Sequence, residues 1–104
     1  MTTYIPQVIR VGSIDYSVEL TSGLSVSDDV LGAIHYGTSK VRVEESLPTS
    51  KLKDTFIHEL THAIFFEAGF EEHEEETVNR IAKVLTMVLR DNDFAFMREA
   101  EDDE

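Results

Sequence analysis

The run "FIHELTHAIFF" occupies residues 56–66 and is apolar on nearly every side of a helix: Phe56, Ile57, Leu60, Ala63, Ile64, Phe65 and Phe66. A helix that is apolar almost all round is expected to be buried. Into this run are set His58, Glu59 and His62. Polar groups of this kind cost several kcal/mol, ~2–7, to bury unless something satisfies them. The fold must therefore supply a partner for two imidazoles and a carboxylate at the middle of a buried helix.

The spacing indicates what that partner is. Residues four apart on a helix are offset by about 40°, so His58 and His62 project from one face, one turn apart. Two imidazoles so placed can grip one metal ion. Glu59, rotated by about 100° from His58, stands outside that coordination sphere but can lie beside a water on the metal. This is the H-E-x-x-H zinc pattern, with the glutamate as general base.

A catalytic zinc site usually takes a third protein ligand, and acidic residues follow at once in "GFEEHEEETVNRIAKVL". Read as a helix running from about Glu72 to Arg90, this segment has an apolar face of Val78, Ile81, Ala82, Leu85, Val88 and Leu89. With Val78 at zero, Glu75 lies at about 60° and Glu74 at about −40°, while Glu76 at about 160° and His73 at about 220° point away. Glu75 is favoured as third ligand, with Glu74 the alternative. Asn79, one turn after Glu75, is placed to hydrogen-bond a ligand histidine from outside the coordination sphere.

Before the first helix the chain reads as strands. "IDYSVEL" alternates, with Ile14, Tyr16, Val18 and Leu20 on one side, and Gly12-Ser13 joins it to "QVIRV" in a two-residue hairpin. "TSGLSVSDD" reads as a polar loop. "VLGAIHY" and "KVRVEE" form a second hairpin around Gly37-Thr38-Ser39. Pro48 precedes a helix entry with Thr49 or Ser50 as N-cap, and Gly69 can take the left-handed position that stops this helix near Ala68, with Phe70 as the accompanying apolar contact. The expected class is α+β: a small antiparallel sheet of two hairpins, then two antiparallel helices on one face carrying the metal site. Residues 1–92 are expected to form the single domain, and 93–104 an acidic tail.

Composition narrows the function. At 104 residues the chain has a limited core and gains from an added constraint. It has no cysteine, so a disulfide is excluded and a metal is not. A net charge of −12 argues against nucleic acid or an anionic membrane surface as the partner. The longest apolar runs, 63–66 and 94–97, fall far short of the about 20 residues of a membrane span, and "MTTYIPQVIRV" lacks the layout of a signal peptide. A cytoplasmic protein is expected.

"HELTH", followed by a helix bearing "EETVNRIAKVL", resembles the ImmA/IrrE-type metallopeptidases of the zincin class. It is more closely similar to the short prophage-encoded proteins grouped with them. Those combine an N-terminal β region, HExxHA with a bulky apolar tail, and E-x-x-x-N/D-x-[apolar]-A, the last matched here by Glu75, Asn79, Ile81 and Ala82. The resemblance covers roughly Val8 to Asn92. It implies a zinc-dependent endopeptidase with one Zn2+ per chain, His58, His62 and Glu75 as ligands and Glu59 as base. It also implies a dedicated protein or peptide partner as substrate, such as a repressor. A donor for the developing oxyanion is expected, with His35 and Tyr36 as the candidates, and "KVRVEE" is a candidate edge strand for pairing with a substrate. The reading from another class is a non-catalytic interaction module stabilised by zinc.

Overall fold

The computed structural model describes residues 5–24 and 30–100. The polar loop expected after the first hairpin and the acidic tail therefore lie partly outside the described residues. Strands β1 (Val8–Val11) and β2 (Ile14–Thr21) pair antiparallel across the Gly12-Ser13 loop, with Val11 opposite Ile14. Strands β3 (Gly32–His35) and β4 (Lys40–Glu44) form the second hairpin, with His35 opposite Lys40.

The order across the sheet is β1-β2-β4-β3, and β2 pairs with β4 in parallel, Val18 opposite Val41 and Leu20 opposite Val43. The sheet is thus mixed, not wholly antiparallel as expected. The reason lies in β4: Val41 and Val43 are fully buried, and a strand buried this far takes the interior of the sheet. That placement also removes "KVRVEE" from the edge. β3 is the terminal strand instead.

One sheet face, with Val11, Tyr16, Val41 and Val43, packs on Leu52, Phe56, Leu60 and Ala63 of helix α1 (Thr49–Glu67). Tyr16 donates to the Glu67 carboxylate at 2.7 Å, tying β2 to the end of α1. Arg10, Asp15, Glu19, Lys40 and Arg42 form ion pairs elsewhere on the sheet, Arg10 with Asp15 and Glu19 with both Lys40 and Arg42.

α1 begins after Pro48, which occupies the N-cap position in place of the expected Thr49 or Ser50. Its end follows the expected form. Gly69 has φ 99°, its N–H donates to the Phe66 carbonyl at 3.0 Å, and the Phe70 N–H donates to the Phe65 carbonyl at 3.0 Å. That pair of bonds is a Schellman motif, and the Phe65 and Phe70 rings, 5.3 Å apart, supply its apolar contact.

Helix α2 (Glu75–Asp91) starts three residues later than the charge pattern predicts, with Glu74 at its N-cap. The chain needs 70–74 to cross from the end of α1 to the start of an antiparallel neighbour. α2 packs chiefly on α1 and buries only Val78 and Ala82. Ile81, Val88 and Leu89 of its expected apolar face are exposed, as are Ile64 and Phe66 of α1. No helix among the described residues is long and apolar enough to cross a membrane.

Candidate metal centre

α1 carries His58 and His62 one turn apart, their rings 5.0 Å from centre to centre. The turn at Gly69 and the crossing segment bring Glu75, the first residue of α2, against both of them. Its Oε1 lies 3.4 Å from His58 Nε2 and its Oε2 lies 3.0 Å from His62 Nε2. Ligand atoms of all three residues fall within 4.8 Å of one another, a group that could hold a metal ion. Glu74, the alternative, is engaged elsewhere: it accepts a hydrogen bond from the Thr77 hydroxyl.

The separations test the fit. Donors about 2.0–2.1 Å from a tetrahedral ion stand about 3.3 Å from each other, and the two nitrogen–oxygen distances bracket that value. A ring nitrogen and a carboxylate oxygen at 3.0 Å need a proton or a metal ion between them. Burial lowers the proton affinity of His62, and this outweighs the raising effect of Glu75, with His58 and His73 also lowering it. The donor set, two imidazoles and a carboxylate, suits zinc among other divalent ions.

Glu59 stands outside this group and is buried. Burial pushes its carboxyl up to about 7, with the charge of Glu75 adding to the effect. The strand β3 presses on it: a Cβ at Gly32 would lie 2.8 Å from the Thr55 methyl and 3.1 Å from Glu59 Oε2. Only glycine allows the strand this close. Between β3, α1 and α2 opens a cleft of about 570 Å³, whose lining includes Gly32, His58, Glu59, Asn79, Lys83 and Arg90.

The remaining expected residues divide. Asn79 lines that cleft but makes no hydrogen bond to either histidine among the described residues, because the helix phase turns it toward the opening. His35 is exposed at the end of β3. Tyr36 stacks on Phe66 at 4.2 Å and its hydroxyl lies 3.5 Å from His73 Nδ1. Burial raises its pKa, and the charges of Glu59 and Glu75 raise it further.

His73 itself is the residue sequence reasoning missed. Projected onto a helix from 72 it points away; in the extended crossing segment it turns back. It stacks on His62 with ring centres 5.1 Å apart, and the two Nδ1 atoms are 2.9 Å apart. The only signal available was a lone histidine inside an acidic run.

Comparison of the chain with family models, with characterised proteins and with solved structures yields no match.

Proposed function

We propose that this protein is a zinc-dependent metallopeptidase, an endopeptidase of the phage type, that hydrolyses a peptide bond in a dedicated protein partner in the cytoplasm. The observation that carries the reading is a buried glutamate, Glu59, next to a three-donor metal group and opening on the same cleft. A site that served structure alone has no use for that carboxylate.

Zinc held by His58, His62 and Glu75 supplies Lewis acidity toward a carbonyl oxygen and makes water more acidic. The chain's own groups do the rest. Glu59 takes the proton of the attacking water and delivers it to the leaving amine. A carboxyl pushed up to about 7 is matched to both halves of that task near neutral pH. The terminal strand β3, whose first residue Gly32 lines the cleft, offers a backbone edge along which an extended peptide can pair. Of the two expected oxyanion donors the proposal keeps Tyr36, whose hydroxyl lies 3.5 Å from His73 Nδ1, over the exposed His35.

The rival reading is a zinc-stabilised interaction module, favoured by the exposed apolar residues Ile81, Val84, Val88 and Leu89 on α2. Glu59→Gln separates the two. The amide is nearly isosteric with the carboxylate but takes up no proton at neutral pH. The variant is expected to bind one zinc per chain as the wild type does, to bind the partner, and to cleave it at least ~10²-fold more slowly. Wild-type protein that binds no zinc would remove the basis of the proposal. A partner bound tightly by both forms and cut by neither would leave the module.

A further inference from the structure

We infer that His73 is a positioning residue for His62: it accepts the Nδ1–H of His62 and thereby leaves Nε2 as the nitrogen that this imidazole offers to a metal shared with Glu75. The inference rests on the reading of His58, His62 and Glu75 as a metal group.

The assignment follows from a short chain of contacts. His62 Nδ1 and His73 Nδ1 lie 2.9 Å apart, so one nitrogen donates and the other accepts. The other nitrogen of His73, Nε2, lies 3.2 Å from the Phe70 carbonyl oxygen. A carbonyl only accepts, so Nε2 of His73 carries its proton. Neutral His73 then presents a lone pair at Nδ1, and the donor in the pair is His62. With its proton on Nδ1, His62 offers Nε2 to the metal, and Nε2 and Glu75 Oε2, 3.0 Å apart, are spaced for an ion between them. Which ring nitrogen of a histidine binds a metal is set by the hydrogen bond made by the other. Left without an acceptor at Nδ1, His62 could equally carry its proton on the nitrogen that must bind.

The arrangement is built into the backbone. Phe70 is held by its own N–H bond to the Phe65 carbonyl in the motif that ends α1, so its carbonyl is a fixed anchor for the His73 ring. The His62 and His73 planes are inclined by 21°, and Phe65 and Tyr36 pack on His73 from other sides, with ring centres at 5.4 Å and 6.1 Å. Tyr36 lies 3.5 Å from the same Nδ1, farther than His62. His73 stands outside the group of three donors, and its Nδ1 meets His62 at Nδ1, not at Nε2.

Two substitutions separate hydrogen bonding from packing. His73→Phe retains a ring for stacking and removes the acceptor. His73→Gln restores an amide oxygen toward His62. Zinc affinity is measured for metal-stripped wild type and both variants by competition with a chromophoric chelator. The imidazole nitrogen NMR spectrum of the zinc-loaded wild type reports directly which nitrogen of His62 carries the proton. His73→Phe is expected to weaken zinc binding by about 10- to 100-fold, His73→Gln to recover most of the loss, and His62 of the zinc-loaded wild type to carry its proton on Nδ1. Equal zinc affinity in wild type and His73→Phe overturns the inference while leaving the metal reading intact. So does equal loss in both variants, or a zinc-loaded wild type in which His62 carries its proton on Nε2, a measurement that needs no variant to fold. Wild type that binds no zinc overturns the metal reading and this inference with it.

Discussion

Glu59 and Glu75 are carboxylates of one small site with opposite surroundings. Glu75 is largely exposed and faces two imidazoles. Glu59 is buried beside Gly32 and Thr55, without a place among the three donors. That division suits one as ligand and the other as proton carrier. The consequence is testable among neighbouring glutamates. Glu75→Ala is expected to weaken zinc binding by more than the ~100-fold upper range of an outer contact. Glu74→Ala loses only the Thr77 hydrogen bond and Glu76→Ala an exposed pair with Arg80, and both are expected to leave affinity nearly unchanged. Chelator competition on the three variants checks this, and a larger loss in Glu74→Ala would move the ligand by one residue. The two histidines and Glu59 were legible because their spacing speaks to one face of one helix. His73 was not, because its role depends on where the next helix starts.

At the scale of elements, the site is made by two junctions. The first is the end of α1, where Gly69 at φ 99° and the paired bonds of Phe65, Phe66 and Phe70 turn the chain. The second is the approach of β3 to α1, where Gly32 meets Thr55 and Glu59. Gly32→Ala places a methyl group against both. It is expected to cost about 1–3 kcal/mol, as overpacking generally does, read as a lower midpoint in urea. It is also expected to reduce cleavage more than zinc affinity, since Glu59 is displaced and the ligands are not. Unchanged stability would mean that β3 is free to retreat. The Schellman stop was readable from Gly69 and Phe70 alone. The start of α2 was not, because "EEHEEE" suits a helix's first turn electrostatically and gives no hint that 70–74 are needed to span the gap.

For the whole molecule, the balance is between a sheet that packs on one helix and a second helix that packs mainly on the first. α2 buries little beyond Val78 and Ala82, so its hold on α1 draws on few apolar contacts. Metal shared between His58, His62 and Glu75 would clamp the two helices together at the end where they meet. Anything that binds only the folded state stabilises it by mass action, by about 2.7 kcal/mol at 100 times Kd. For a domain of this size each kcal/mol raises Tm by about 4–8 °C. Zinc at that excess is therefore expected to raise Tm by about 10–20 °C over stripped protein, and EDTA to reverse it, as followed by circular dichroism. No shift would mean that the two helices do not depend on the ion. The exposure of Ile81, Val84, Val88 and Leu89 belongs to the same geometry, since α2 packs chiefly on α1.

By itself the sequence determined the local order: two hairpins from alternation and turn residues, two helices from periodicity, the stop at Gly69, and His58 and His62 on one face. These depend on contacts within a few residues, where spacing alone is decisive. Tertiary structure decided the rest. It placed β4 inside the sheet beside β2, because only the packed sheet shows which strand buries both of its valines. It brought Glu75, not Glu74, against the two histidines, because a carboxylate's reach depends on the helix phase after the turn. It buried Glu59 under Gly32, a contact between residues far apart in the chain. And it set His73 on His62, because an extended crossing points a side chain where a helix would not.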